Sequence, residues 1–270
     1  MPSRDFLDRI IVVLVRARNP NNIGAAARAM HDFGLRQLRV VNEFAVPFEA
    51  ARSAVDASAV LAGAVSCASV AEAVADCTLV AGTTAVGERE LRHPLLTLAG
   101  AAPRLLAELR RSPEAKVALL FGSEKTGLSN DELSFCNVLL TIPMYEHAEV
   151  RHASMNLGQA VAVCLYEMVR EAATEPAGAT PTAVQDEALP AAELDRLASL
   201  LSEVLMATEY TRHHPAHTEQ ADLRRMVRRM GADRASAPVW MGILRQILWK
   251  VRRPVGPEAK SAGADVRDQN

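Results

Sequence analysis

The chain has 270 residues, about half of them apolar, which suits one large domain or a large domain with a small companion. Its formal net charge of -2 excludes a global basic field for nucleic acid, so any such partner must be met by a local patch. No apolar stretch is long enough to span a bilayer, and the short apolar run near the N-terminus has acidic flanks unlike a secretory signal. Cys67, Cys77, Cys136 and Cys164 show no CxxC pairing and read as buried free thiols of a cytoplasmic protein.

Ile10–Val15, IIVVLV, is a β-branched apolar run and predicts a buried strand. The stretch NPNNIGAAARAM follows, and residues 22–33 predict a helix with an Asn cap and Gly34 as its stop. LRVV (38–41) predicts a second strand, and residues 48–75 two or three helical segments broken near Gly63 and Ser66. TLVAG (78–82) predicts a third strand that runs into a polar loop. Thr97 caps a helix through Arg111, and KVALLFG (116–122) predicts a fourth strand. The loop SEKTGLSNDEL, the strand VLLTIPM (138–144) and a helix over 154–172 complete the series. Strands alternating with helices predict an α/β fold with a mostly parallel sheet. Periodicity vanishes over 171–190, which reads as a linker; three amphipathic stretches follow, and the polar residues from Pro254 read as a frayed tail. The organisation expected is a domain over 1–172, a linker over 173–190, a helical extension over 191–253 and a tail over 254–270.

Open parallel folds bind ligands in loops at the carboxyl ends of their strands. Four such loops stand out: Asn19, Asn22, Gly24 and Arg28; Gly82, Thr83 and Thr84; Gly122, Glu124 and Gly127; and Pro143 and Met144 leading to Ser154 and Asn156. Each alone also reads as helix capping or turn chemistry. The dinucleotide fingerprint GxGxxG is absent, and in GSEKTGLS Leu128 stands where a phosphate loop needs lysine. A cofactor without phosphates fits better. S-adenosyl-L-methionine asks for backbone donors and acceptors, small residues and an apolar wall, which Gly82, Leu120, Gly122, Ile142, Pro143 and Met144 could supply.

The motifs NPNNIGAAARAMHDFGL, LLFGSEKTGLSNDEL and LLTIPM…ASMNLGQAVAVCLYEM resemble, in order and spacing over about residues 9–170, those of the SPOUT RNA methyltransferases. The resemblance is to the TrmH family, which methylates ribose 2′-hydroxyls, and the residues after the linker resemble the extension of its TrmJ-like tRNA enzymes. It implies a deep C-terminal trefoil knot, a homodimer with active sites near the subunit boundary, and S-adenosyl-L-methionine as methyl donor. It also implies a tRNA substrate methylated at position 32, cytidine or uridine, of the anticodon loop. The alternatives are ribosomal RNA as substrate, or a catalytically silent RNA-binding module.

Residue by residue, the resemblance places Arg28 at the target 2′-hydroxyl. A guanidinium holds its proton above about pH 12, so Arg28 is read as stabilising the developing alkoxide or holding the adjacent phosphate. A surface cation, or a partner for Asp32 at i+4, is the other reading of the same residue. Glu124, Ser154 and Asn156 match the family's polar residues at the reacting groups, and Asn22 steadies the first loop or touches substrate. The cofactor set implied is Gly82, Thr83, Thr84, Leu120, Gly122, Glu124, Ile142, Pro143, Met144, Ser154, Met155 and Asn156. The chain departs from the family at Val86, where an arginine is common, and at His152 and Ala153, where an aromatic is common. Alanines 25, 26, 27 and 29 are expected to let RNA or a second subunit come close.

Between Thr211 and Pro254 ten cations face three anions. Arg224, Arg225, Arg228 and Arg229 are expected to form an RNA-binding stripe on one helix side, against a solvated face as the alternative. Trp240 and Trp249 are expected in the core of the extension. Pro215 breaks the helix that would align the histidines of HHPAH, so no metal site is expected.

Overall fold

The computed structural model describes residues 3–42, 57–85, 92–145, 155–174, 187–215 and 219–253. In chain order the elements are α1 (Arg4–Leu7), β1 (Ile10–Val15), α2 (Pro20–Asp32), β2 (Gln37–Val41), α3 (Ser58–Ala62), β3 (Val65–Cys67), α4 (Val70–Val74) and β4 (Leu79–Thr83). Then come β5 (Leu95–Thr97), α5 (Leu98–Arg111), β6 (Val117–Phe121), α6 (Asn130–Leu133), β7 (Val138–Thr141) and α7 (Leu157–Thr174). The extension holds α8 (Ala191–Ala207), α9 (Tyr210–His213), α10 (Gln220–Arg229) and α11 (Ala237–Arg252).

Seven strands form one sheet in the order β3-β2-β1-β6-β4-β7-β5, and each pairing is parallel. Every residue of β1 is buried, because both faces of the sheet are covered. Ile10, Val12 and Leu14 enter the core shared with α2, α5 and α7, whereas Ile11, Val13 and Val15 enter the core shared with α4 and α6. The four cysteines are free and buried, and burial pushes the thiols of Cys77, Cys136 and Cys164 up to about 12.

Three short elements escaped the periodicity. β3 lies where the helical stretch was expected to break, near Ser66, β5 ends at the cap expected at Thr97, and α6 is a single turn inside the loop after β6. Three-residue strands carry no usable period; pairing to β2 and to β7 makes them strands. The turn α6 was legible as a capping box: Ser129 Oγ accepts from Glu132 N, and Glu132 Oε2 accepts from Ser129 N at 2.6 Å. The helix α2 starts at Pro20, two residues before the expected start, with Asn19 as its cap.

The extension has its own core of Leu194, Leu197, Val227, Leu244 and Leu248. It is also stitched to the sheet domain. Ala191 N donates to Cys77 O at 2.8 Å and Ala192 N to Ala75 O at 3.1 Å. Trp240 and Trp249 are 40% and 50% exposed, so neither is the core residue expected. Their helix is anchored instead through Ala237, Leu244 and Leu248, and the Arg253 guanidinium lies 4.0 Å over the Trp249 ring.

Candidate active site at the switch point of the sheet

The strand order reverses between β1 and β6, and the loops leaving these neighbouring strands meet at their carboxyl ends, where open parallel sheets bind ligands. The first loop carries Asn22, the second Glu124, and Asn156 comes from the segment that precedes α7. These three form one chain of hydrogen bonds. Asn22 Nδ2 donates to Glu124 Oε1 at 2.8 Å, and Asn156 Nδ2 donates to Asn22 Oδ1 at 3.1 Å. Gly158 N donates to Asn156 Oδ1 at 2.9 Å. The polarity is forced from both ends: an ionised carboxylate only accepts and a backbone N–H only donates, so each amide has one workable orientation. The bonds reach across 102 and 134 residues of sequence, and they tie together three loops that sequence spacing could only suggest belong together.

Two glycines hold this geometry. A Cβ at Gly122 would stand 2.1 Å from the Gly127 carbonyl carbon, so the turn after β6 closes on itself only without a side chain there. A Cβ at Gly158 would stand 2.5 Å from Ala25 Cβ, so α7 lies directly on α2. The alanines of α2 therefore serve this chain's own packing. Ala26, Ala27 and Ala29 are buried in the sheet-side core, and Ala25 meets Gly158. That corrects, for Ala26, Ala27 and Ala29, the expectation that the alanines clear space for RNA or a second subunit; Ala25 is exposed.

Arg28 lies six residues beyond Asn22, about 9 Å further along the helix axis. Its side chain is half exposed, and its Nε is 3.9 Å from Asp32 Oδ2, the i+4 partner weighed from the sequence. Ser154, His152, Ala153 and Val86 lie outside the described residues.

The expected cofactor residues come together at the adjoining ends of β4, β6 and β7. Gly82 is in register with Leu120 on one side and Leu139 on the other. Thr83 Oγ1 donates to Leu120 O at 2.9 Å, and Thr84 N donates to Leu140 O at 3.0 Å. Leu120 is fully buried between β1 and β4, with its carbonyl taken by Thr83. Gly82 turns its missing side chain inward: a Cβ would meet Cys136 Sγ at 2.7 Å. Ile142 and Met144 are half-buried, Pro143 is exposed, and Met155 is half-buried beside exposed Asn156.

Arg16 is a site residue the sequence reading passed over. It has a left-handed φ of 56°, costly for a side chain with a Cβ. Its Nε donates to Glu132 Oε1 at 2.6 Å, while Nη2 donates to Glu132 Oε2 and to Gly127 O, each at 2.9 Å. Burial opposes ionisation of Glu132, but Arg16 and the Ser129 N–H outweigh it and hold the carboxyl below its ordinary value. The usable signal was a cation placed directly after β1, with a capping-box glutamate elsewhere in the chain to meet it.

The arginine stripe is corrected for three of its four members. Arg225 and Arg228 are 6% and 8% exposed and Arg224 is half-buried, all turned toward the sheet domain. Arg224 Nε donates to Ser134 Oγ at 2.8 Å, and Nη2 pairs with Asp131. Arg225 pairs with Asp222, and Arg228 Nη2 donates to Asp195 Oδ1 at 2.9 Å. Arg229 alone of the four is exposed. On α10 the buried apolar residues are Leu223 and Val227. The arginines lie beside that docking face, and Met226 on the same helix is exposed.

Fold and site together define an open parallel α/β protein with polar residues gathered at strand ends beside its switch point. The model of the SpoU rRNA Methylase family matches residues 9–166. The tRNA (cytidine/uridine-2′-O-)-methyltransferase TrmJ of Yersinia enterocolitica is 33% identical over 270 residues, which cover 98% of this chain and 99% of that protein. The crystal structure of TrmJ from Z. mobilis ZM4 is 30% identical with a TM-score of 0.72, covering 88% of this chain and 98% of that one. A methylase family protein from Neisseria gonorrhoeae is 32% identical with a TM-score of 0.61, covering 74% and 97%. The chain belongs to the SpoU methylase family.

Proposed function

We propose that this chain transfers a methyl group from S-adenosyl-L-methionine to a ribose 2′-hydroxyl of tRNA, at position 32 of the anticodon loop. The observation that carries the reading is the Glu124–Asn22–Asn156 chain, which gathers three family motifs at the one place where an open parallel sheet binds ligands. The near full-length similarity to TrmJ supports tRNA as the substrate class.

The residues fit an adenosyl cofactor. The adjoining ends of β4, β6 and β7 bring Gly82 and buried Leu120 beside half-buried Gly122, whose backbone could meet a ligand, and half-buried Ile142 and Met144 offer an apolar wall. Bound there, S-adenosyl-L-methionine would give its methyl carbon to the 2′-oxygen and leave as the thioether, with the hydroxyl proton passing to solvent. The chain's task is alignment and charge. Glu124 and Asn156 hold Asn22 in one orientation, and Ser154 and Asn156 present polar groups to the ribose. Arg28 stabilises the developing negative charge on the oxygen. Its half-exposed position on α2 fits a site completed at the boundary of a homodimer.

The same reading includes the trefoil knot, formed as the chain after β7 returns to place α7 against α2 and α5. It includes a cytoplasmic enzyme and a helical extension that meets RNA. With Arg224, Arg225 and Arg228 turned inward, exposed Arg229, Arg245, Lys250 and Arg253 carry that contact.

The test is methyl transfer from labelled S-adenosyl-L-methionine to tRNA and to ribosomal RNA, with the modified nucleotide mapped. Label on the ribose at position 32, lost in Arg28→Ala, is the expected result. Label on ribosomal RNA alone, or RNA binding with neither cofactor binding nor transfer, overturns the reading.

A further inference from the structure

The turn 122–129 belongs to the proposed cofactor site, yet the groups that hold its far end come from the C-terminal extension. The turn is tight and made largely of its own backbone. Gly127 N donates to Ser123 O at 2.9 Å, and Gly127 has a left-handed φ of 64°. Its exit is Ser129, the cap of α6. A single helical turn has little stability of its own, so α6 keeps its place only through what grips it.

Two sides grip it. From β1, Arg16 holds Glu132 and the Gly127 carbonyl. From α10, Arg224 pairs with Asp131 and donates to Ser134 Oγ, with its guanidinium 4.2 Å from the Phe135 ring centroid. On the same side Arg225 Nη1 donates to Asn130 O at 3.3 Å and Arg228 Nε to Phe135 O at 3.1 Å. Three arginines of one helix thus address four residues of the segment 130–135: Asn130, Asp131, Ser134 and Phe135.

We infer that α10 braces the turn 122–129 through α6, and that Arg224 is a positioning residue for cofactor binding. The inference rests on the proposed cofactor site and adds a part for the extension in cofactor affinity, apart from any hold on RNA. Without Arg224, α6 and its cap sample other positions. The cofactor then binds only the fraction of molecules whose turn is in place, and the apparent Kd rises by the inverse of that fraction.

The experiment is calorimetric titration of the full chain with S-adenosyl-L-methionine, alongside amide exchange over residues 123–129. Arg224→Ala is expected to weaken cofactor binding roughly tenfold, and Asp131→Asn, an exposed and nearly isosteric change, roughly threefold. Arg224→Lys restores part of the loss, since an ammonium reaches Asp131 but cannot keep Ser134 and the Phe135 ring together. Arg252→Ala, whose partner Glu203 lies inside the extension, leaves cofactor affinity unchanged. In turnover, KM for the cofactor rises while kcat and KM for tRNA hold. Folded Arg224→Ala and Asp131→Asn proteins that bind cofactor within twofold of wild type overturn the brace, as does a loss confined to the KM for tRNA. Should the wild type bind no S-adenosyl-L-methionine, the cofactor reading fails by itself. Amide exchange then decides the brace: faster exchange over 123–129 in Arg224→Ala supports it, and unchanged exchange overturns it.

Discussion

Gly158→Ala probes how helix packing sets the site. The added methyl would sit 2.5 Å from Ala25 Cβ and 3.2 Å from the Ala25 carbonyl carbon. Carbon atoms in ordinary contact stand about 3.5–4.0 Å apart, so α7 must retreat from α2 by about 1 Å. Overpacking of this kind costs about 1–3 kcal/mol, and the helix propensity gained by alanine offsets up to about 1 kcal/mol of it. The net loss is therefore about 1 kcal/mol, read as a shift of the urea midpoint. Activity should fall much further. The Gly158 N–H orients Asn156, and Asn156 orients Asn22; misplacing such groups by about 1 Å costs on the order of a hundredfold in rate. Ala25→Gly in the same chain removes the closest obstacle and leaves 3.2 Å as the nearest approach, so the double variant should regain most of both losses. If Gly158→Ala matched wild type in midpoint and rate, or if the double variant recovered nothing, the contact would not be setting the site.

Asn22→Asp places a second carboxylate where an amide donates to Glu124 at 2.8 Å. Two such groups hold a shared proton more tightly in the folded state than in the unfolded one. The variant's stability relative to wild type should therefore fall as pH rises from 5 to 8, and a flat difference would refute the contact. Arg228→Ala removes a side chain only 2% exposed and leaves half-buried Asp195 without its 2.9 Å partner, and should destabilise by about 2 kcal/mol. Exposed Arg229→Ala should change the unfolding midpoint by less than about 0.5 kcal/mol while lowering the salt dependence of RNA binding. Denaturation of the two variants side by side separates docking from surface arginines, and equal effects would remove the distinction. Burial, with Arg225, Arg229 and Arg228 nearby, lowers the His93 pKa to about 4. Between about pH 6.5 and 4 the unfolded chain then binds a proton that the folded chain refuses, so stability falls with falling pH by up to about 1.4 kcal/mol per unit. His93→Gln should flatten that slope in urea midpoints taken at pH 7 and 4.5; parallel slopes would exclude His93 as its source.

The long elements were legible because their signals are local. IIVVLV is apolar throughout since helices cover both sheet faces, and Thr97 was readable as a cap since its Oγ1 accepts from Gly100 N three residues on. The candidate loops were legible because they follow strands. The arginines of α10 misled because sequence spacing places them on a helix side without saying what that side meets. They were expected to line an RNA-binding stripe, whereas Arg224 and Arg228 face Asp131, Ser134, Phe135 and Asp195.

Sequence by itself determined the alternation of strand and helix, the caps, and the residue types waiting at each strand end, because these depend on neighbours a few positions away. Tertiary structure alone decided that β6 inserts beside β1, that Asn22 meets Glu124 and Asn156, and that Arg16 and Arg224 grip the same short turn. Those contacts join residues 90 or more positions apart. Their partners are chosen by strand order and close helix approach, which no local pattern encodes.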